Sequence, residues 1–215
     1  MPSEPLSRPA RLRLGLLGGT FDPPHVGHLA AAVAVRDALG LDRVDLLPAH
    51  DPWQKTSARG ADGPSTLGHR VTPAGVRLEM VRALVGDTPG LGVDDREIRR
   101  GGVTYTVDTL EDIHREVGDV HVFLIMGADT ARRFHTWHRH GDVAMLSTLV
   151  VVNRHHEAPT VPSGASHAEF VTMSPVDVSS TAVREAVARG EDVSSAVTPA
   201  VAGVIAAHGL YGRAS

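Results

Sequence analysis

An eleven-residue segment near the start of the chain, GGTFDPPHVGH at positions 18–28, contains residue types that suit the binding of an anion. Its three glycines permit close approach of a ligand to the backbone, because glycine has no side chain. His25 and His28 are three positions apart and can face the same side of a helix. Two imidazoles beside the free N–H groups of a helix N-terminus would form a compact anion site. Each residue alone could belong to a plain turn or to the core, whereas the whole string favours a functional site.

A second cluster of polar residues consists of Ser179, Ser180 and Thr181, followed by Arg184 one helical turn later. Hydroxyl and free N–H groups at the start of a helix can hold a phosphate, and an arginine one turn on adds positive charge. The alternative is a helix N-cap with a surface arginine. The pattern therefore predicts either a second phosphate-binding element or an ordinary helix start.

Hydrophobic periodicity predicts the elements that position these groups. Strands are predicted at 11–18, 43–47, 91–94, 120–126, 149–152 and 170–173. Helices are predicted at 28–39, 73–84, 106–117, 179–189 and 198–207, with Val76, Met80, Val81, Leu84, Val107, Leu110 and Ile113 facing the core. This alternation is typical of an α/β fold with a doubly wound, mostly parallel sheet flanked by helices. Ligands of such sheets bind at the carboxyl ends of the strands, so we expect the site in the loops after Leu17, Leu47, Met126 and Met173.

The composition is that of a soluble globular protein. The chain has 215 residues, of which 42% are hydrophobic and 21% charged, and this excludes global disorder. A net charge of -4 argues against general binding to nucleic acid. The chain has no cysteine, which excludes disulfides and thiolate metal sites and suits a cytoplasmic location.

The length favours one domain over residues 11–215. Residues 1–10 contain three prolines and no apolar stretch, so we expect a flexible tail rather than a secretory signal. The longest apolar stretch, near position 30, is interrupted by Arg36 and Asp37 and is too short for a membrane span. Serine, glycine, threonine and proline at 54–72 predict a long loop.

The segment at 18–28 resembles the (H/T)xGH signature of the nucleotidyltransferase superfamily, in the GGTFDPxHxGH form of bacterial nicotinate-nucleotide adenylyltransferases. Further matches to that family follow in the same order over residues 12 to about 211. They are PAHDPWQK at 48–55, DRE at 95–97, YTVDTL at 105–110, GAD at 127–129 with Trp137, and VSSTAVR at 178–184. His50 and the RHH string at 154–156 depart from the family pattern, in loops that concern the acceptor more than ATP.

The resemblance implies a Rossmann-like fold and a reaction in which ATP and nicotinate mononucleotide give nicotinate adenine dinucleotide and pyrophosphate. The 5′-phosphate of the acceptor would attack the α-phosphorus of ATP, so catalysis would rest on positioning and charge stabilisation. Mg²⁺ would be held mainly by the ATP phosphates, without a protein ligand set. The histidines at 135–140 lack a carboxylate or cysteine to complete a zinc site, so we expect them to be solvated or to pack. Neither nucleic acid nor a membrane is an expected partner, and the chain could form a homodimer or a larger homo-oligomer.

Family resemblance also supplies the candidate site residues. The expected catalytic residues are His28, His25, Lys55 and Arg184, with His28 at the transition-state charge and His25 on the triphosphate side. ATP binding is expected at Gly18, Gly19, Thr20, Phe21, His25, His28, Gly127, Asp129, Ser179, Ser180, Thr181 and Arg184. Acceptor binding is expected at Asp22, Lys55, Tyr105, Thr106, Trp137 and Arg154.

Three of these residues carry an independent argument. Lys55 is the only lysine among 21 basic residues, which suggests a site that needs a compact ammonium, or else chance retention on a loop. Trp137 offers a flat face for a pyridine ring, although it could instead be a buried anchor. Thr106 begins a predicted helix whose N–H groups could hold a carboxylate, which would favour nicotinate over nicotinamide.

Two alternatives stay open at this point. The chain could be a transferase of the same superfamily that uses nicotinamide mononucleotide or another phosphorylated acceptor. It could also be a regulatory protein that binds a nucleotide without turnover, although the intact motif residues argue against that.

Overall fold

A computed structural model describes residues 11–51, 71–154 and 160–212 of the chain. The predictions for the tail at 1–10 and for most of the loop at 54–72 lie outside these residues, as do Lys55, the side chain of Arg154 and the histidines at 155 and 156.

The described strands form one six-stranded sheet. Their bounds are β1 Leu12–Gly19, β2 Arg43–Pro48, β3 Leu91–Val93, β4 Val120–Gly127, β5 Thr148–Arg154 and β6 Glu169–Met173. The order is β3-β2-β1-β4-β5-β6, and every neighbouring pair is parallel. This confirms the predicted doubly wound α/β fold, with all pairs parallel rather than most of them.

Helices cover both faces of the sheet. Their bounds are α1 Val26–Leu39, α2 Ala74–Val85, α3 Arg96–Arg100, α4 Thr106–Val117, α5 Ala128–Ala131, α6 His140–Leu146, α7 Ser180–Arg189 and α8 Pro199–Ala207, with a 3-10 turn at Phe134–Thr136. The predicted helices are all present, and the prediction for 106–117 has the observed bounds. The sequence patterns missed α3, α5, α6 and the 3-10 turn, which are too short to show a helical period.

Local sequence explains where the longer helices begin and end. Ser179 caps α7 by accepting a hydrogen bond from the Ala182 N–H at 3.1 Å. Thr198 caps α8, and Pro199 occupies its first turn, where a missing N–H costs nothing. Gly40 ends α1 in the left-handed region, with φ of 58°, as glycine does with little strain.

Alternate residues of each strand supply two cores, one on each face of the sheet. Leu17 belongs to the core under α1, α2 and α8, whereas Leu16 belongs to the core under α4 and the 3-10 turn. The predicted core residues are buried except Val76, which is only partly buried. Its neighbour Arg77 is 1% exposed and takes the inward position on α2.

The order in which the chain adds strands to the sheet reverses at the boundary between β1 and β4. From β1 the chain proceeds to β2 and β3 on one side, and later to β4, β5 and β6 on the other. The loops at the carboxyl ends of β1 and β4 therefore diverge and leave a crevice, which is where ligands bind in open α/β sheets. Among the described helices, none combines the length and apolar character needed to cross a membrane.

Candidate active site

A cleft of about 560 Å³ opens at the carboxyl ends of β1 and β4. It is lined by residues of the loops after β1, β2, β4 and β6, as predicted from the fold. Most of the expected site residues are brought together there, namely Gly18, Gly19, Thr20, Phe21, Asp22, His25, His28, Tyr105, Thr106, Gly127, Trp137, Ser180, Thr181 and Arg184.

The corner between β1 and α1 holds the two histidines in contact. His25 is the N-cap of α1, and its backbone N–H donates to Nδ1 of His28 at 3.1 Å. The two imidazole rings stack with their centroids 3.7 Å apart, and the Phe21 ring meets His28 edge-on at 4.9 Å. Because Nδ1 of His28 accepts a hydrogen bond, its neutral ring carries the proton on Nε2. His28 is therefore a positioned N–H donor.

His25 is neutral in this site. Burial lowers the pKa of His25 to about 4, because desolvation disfavours the imidazolium. Its Nδ1 is buried and has no hydrogen-bond partner among the residues that the structure describes. The histidine pair can therefore form hydrogen bonds with a ligand but does not present two positive charges to it.

The start of α7 lies against the same corner. Ser180 Oγ donates to the Pro23 carbonyl at 2.8 Å, and an Arg184 N–H donates to the Asp22 carbonyl at 2.7 Å. A second Arg184 N–H donates to the Thr181 hydroxyl at 3.0 Å. These contacts place an arginine, two hydroxyls and a helix N-terminus beside the histidine pair, which is a suitable set for several phosphate oxygens.

The opposite side of the cleft is aromatic. Tyr105 and Thr106 line it at the start of α4, where the first N–H groups lack partners within the helix. Trp137 also lines it while packing on the buried Phe134, with ring centroids 5.5 Å apart. It is therefore both an anchor and a cleft residue, so the two interpretations of this residue do not exclude each other. His138, expected only to pack or be solvated, lines the cleft too, 4.4 Å from the Tyr105 ring.

Two expected ATP residues lie outside the described lining. The Asp129 side chain is 87% exposed and pairs with Arg132, and Thr130 lines the cleft instead. Ser179 uses its hydroxyl as the cap of α7. The alternative of a plain N-cap thus fits Ser179 but not Arg184, which reaches the loop after β1.

Comparison with known proteins agrees with this geometry. Residues 16–186 match the cytidylyltransferase-like family model. A protein of Chromohalobacter salexigens named probable nicotinate-nucleotide adenylyltransferase is 36% identical over 95% of this chain and 97% of its own length. A protein of the same name from Gemmatimonas aurantiaca is 38% identical over 93% of this chain and 92% of its own length.

The chain belongs to the nicotinate-nucleotide adenylyltransferase family. The fold is similar to that of a solved structure, the Plasmodium falciparum nicotinic acid mononucleotide adenylyltransferase complexed with NaAD. That structure has a TM-score of 0.73 at 14% identity and covers 93% of this chain and 97% of its own.

Within this member of the family, two buried charged residues have roles that the sequence patterns did not reveal. Arg77 donates to the Thr20, His50 and Thr72 carbonyls at 2.7, 2.9 and 2.8 Å. One guanidinium therefore joins the loops after β1 and β2 to the start of α2. A signal was present, because Arg77 shares the apolar face of Met80, Val81 and Leu84.

Glu97 is the second such residue. It is 4% exposed, lines the aromatic side of the cleft and accepts a hydrogen bond from the Thr109 hydroxyl at 2.8 Å. Burial raises the pKa of Glu97 to about 7, an effect that the Thr109 bond and Arg100 oppose. It belongs to the DRE string quoted for the family resemblance, which assigned it no role.

His50, where the chain departs from the family pattern, contacts another loop. Its Nδ1 lies 3.0 Å from the Gly102 carbonyl, and its own carbonyl accepts from Arg77. It is outside the described residues that line the cleft. Its ring thus joins the loop after β2 to the segment before α4.

The described acidic residues do not form a protein cage for a metal. No group of three or more His, Asp or Glu side chains with ligating geometry occurs within the described ranges. Three of the described acidic residues line the cleft, namely Asp22, Asp51 and Glu97; Asp22 accepts hydrogen bonds from Tyr211 and Thr72, and Glu97 accepts one from Thr109. Such a donor set suits an ion that arrives with substrate phosphates, since Mg²⁺ keeps waters and takes few protein carboxylates.

Proposed function

We propose that this chain transfers the adenylyl group of ATP to nicotinate mononucleotide and releases pyrophosphate. The observation that carries the proposal is the meeting of two phosphate-binding elements, the His25–His28 corner and the start of α7, across one cleft from an aromatic wall. Family membership, the activity in the name of the curated relative and the NaAD bound in the structural neighbour support the same reaction.

The reaction needs no protein nucleophile. A 5′-phosphate oxygen of the acceptor forms a bond to the α-phosphorus of ATP, while the bond from that phosphorus to the bridging oxygen breaks and pyrophosphate leaves. Negative charge grows on the oxygens around the α-phosphorus and on the leaving group. Donors fixed before the reaction lower this barrier, because they do not reorganise when the charge develops.

Each residue of the cleft has a role in the reaction that depends on its position. His28, with its proton on Nε2, donates to the phosphoryl oxygen that gains charge, and His25 orients His28 through the stacked ring and the backbone N–H. Arg184, Ser180 and the N–H groups of α7 bind the remaining phosphates. Mg²⁺ on the ATP phosphates supplies additional neutralisation of charge. Lys55, which lies outside the described residues, stays a predicted member of this set.

The aromatic wall supports an acceptor with a carboxylated ring. Trp137 and Tyr105 offer faces for stacking, and the N-terminal N–H groups of α4 carry partial positive charge beside them. A carboxylate gains from that charge, whereas a neutral amide gains less. Nicotinate mononucleotide is therefore the proposed acceptor rather than its nicotinamide counterpart.

The test is an acceptor panel assayed for pyrophosphate with ATP and Mg²⁺. We expect release at least about tenfold faster with nicotinate than with nicotinamide mononucleotide, since a tenfold ratio needs ~1.4 kcal/mol and a charged interaction at a helix start is worth up to about 2 kcal/mol in a partly buried site. Equal rates would contradict the acceptor assignment. Nucleotide binding without release from any acceptor would favour a regulatory protein, and loss of activity with EDTA would support the role of Mg²⁺.

Two further expectations belong to this proposal. A cytoplasmic location follows from the lack of cysteine together with the proposed metabolic reaction. A homodimer or larger assembly is expected as well, and light scattering on the purified chain would decide it.

A further inference from the structure

The turn after α8 brings Tyr211 to the loop between β1 and α1. The Tyr211 hydroxyl donates to Oδ1 of Asp22 at 2.5 Å, and the Thr72 N–H donates to Oδ2 at 3.2 Å. The Thr72 hydroxyl in turn donates to the Tyr211 oxygen at 3.3 Å. Three segments that are far apart in the sequence thus meet at one carboxylate.

This contact lies in a buried environment. Asp22 is 3% exposed and Thr72 is 6% exposed, so little water competes for the carboxylate. A buried carboxylate is costly unless donors surround it, and hydrogen bonds to a charged group are stronger than those between neutral groups. Burial and the bond to Asp22 both raise the pKa of Tyr211, so its hydroxyl stays a donor.

The backbone at Tyr211 also indicates that the contact matters. Tyr211 has a φ of 61°, in the left-handed region that non-glycine residues occupy at a cost. This turn directs the ring onto the core under α2 and α8 and the hydroxyl to Asp22. A strained residue that delivers a side chain to an active-site loop points to a functional contact.

The other contacts to this loop are of a different kind. Arg77, Ser180 and Arg184 hold its backbone carbonyls, and both Ser180 and Arg184 also line the cleft. The O–H group of Ser180 and the N–H groups of Arg184 can therefore be shared between the loop and a bound phosphate. Tyr211 lies outside the described lining, so its hydroxyl is not among the donors that a bound phosphate would take.

We infer that Tyr211 is a positioning residue for adenylyl transfer, which holds the loop at 20–25 and thereby the His25–His28 pair. This inference rests on the proposed function. The C-terminal turn is consequently part of the active-site framework, although it touches no reacting atom.

The test compares two variants at the same end of the chain. Tyr211→Phe keeps the ring and removes only the hydroxyl. His208→Ala removes a surface bond from the residue that follows α8 to Glu79, which lies on α2, without contact to Asp22. We expect Tyr211→Phe to lower kcat about tenfold with little change in either KM, because misplacement of a donor acts on the transition state. His208→Ala should retain the kcat of the unaltered protein.

Two further measurements separate positioning from stability. Asp22→Asn with Tyr211→Phe should be no slower than Asp22→Asn alone, since the two groups act through one bond. Amide exchange in the segment at 18–28 should be faster in Tyr211→Phe and unchanged in His208→Ala. The inference would be overturned if Tyr211→Phe left either kcat or amide exchange in the segment at 18–28 unchanged. It would also be overturned if the effects of the two substitutions on kcat simply multiplied in the double variant. If the unaltered protein shows no turnover, the proposed function fails, and amide exchange still decides whether Tyr211 holds the loop.

Discussion

The half of the cleft formed by residues 20–28 and the start of α7 is held by hydrogen bonds between distant segments in addition to the stacked His25 and His28 rings, whereas the half formed by Tyr105, Thr106, Trp137 and His138 shows ring contacts. We call these the phosphate half and the acceptor half, after the substrate groups that each is proposed to bind. In the phosphate half every residue from 20 to 25 is buried, and bonds from Arg77, Arg184 and Tyr211 fix the loop. In the acceptor half Trp137 is partly buried and His138 is exposed.

The difference corresponds to two tasks. Charge stabilisation depends on donors that are fixed to within a fraction of an ångström, and a network of buried hydrogen bonds provides that rigidity. Recognition of an aromatic ring depends on area and shape, which side chains with few rotatable bonds provide at low entropic cost. Substitutions in the phosphate half should therefore lower kcat, and those in the acceptor half should raise KM.

The largest effect is expected from the phosphate half. His28→Ala should lower kcat by about a hundredfold or more, which is the usual cost of losing a donor to developing charge. Pyrophosphate release under saturating ATP and acceptor measures it, and circular dichroism verifies the fold. The matched control is His135→Ala, because His135 is an exposed histidine outside the described lining. A variant with nearly full activity would remove His28 from the mechanism.

A smaller and different effect is expected from the acceptor half. Trp137→Ala should raise KM for the acceptor about fivefold and leave KM for ATP nearly unchanged, since stacking on an aromatic face is worth about 1 kcal/mol. Trp137→Phe should restore most of the affinity because it keeps a flat ring. If Trp137→Ala mainly lowers Tm, with both KM values unchanged, the residue is only an anchor on Phe134.

The sequence predicted the phosphate half better than the acceptor half. Glycines, two histidines and a Ser-Ser-Thr start lie next to one another in the chain, so local rules already place them at the corner after β1 and at the start of α7. In the acceptor half the predicted helix start at Thr106 is confirmed, but Trp137 and His138 follow α5 and the 3-10 turn, which have four and three residues. Elements this short have no period, and tertiary packing sets their geometry.

Long-range contacts explain why the sequence patterns did not reveal the contacts of Arg77 and Tyr211. Arg77 binds carbonyls 5, 27 and 57 residues away, and Tyr211 reaches Asp22 across 189 residues. Backbone carbonyls carry no sequence signal, so such partners cannot be found from residue types. An arginine on an apolar helix face is nonetheless unusual enough to indicate a buried network.

The two halves should also respond differently to pH, because the buried His25 of the phosphate half and the buried Glu97, which lines the cleft beside the acceptor half, have shifted pKa values. The pKa of His25 is lowered from 6.5 to about 4 by burial, so the unfolded chain takes up the proton first as pH falls. Its contribution to stability is complete above pH 6.5 and is lost as pH decreases toward 4. The pKa of Glu97 is raised from 4.5 to about 7, so the unfolded chain releases the proton first as pH rises. Glu97 therefore lowers the free energy of unfolding as pH increases from 4.5 to 7.

Denaturant unfolding of two near-isosteric variants at pH 5, 6.5 and 8 tests this opposition. Relative to the unaltered protein, His25→Gln should be less destabilised at pH 5 than at pH 8, and Glu97→Gln less destabilised at pH 8 than at pH 5. Each difference should be about 1 kcal/mol, because one unit of pKa shift corresponds to ~1.4 kcal/mol and solvent relaxation reduces the full effect. If the destabilisation changed with pH in the same direction for both variants, burial would not act in opposite ways on the charges of His25 and Glu97.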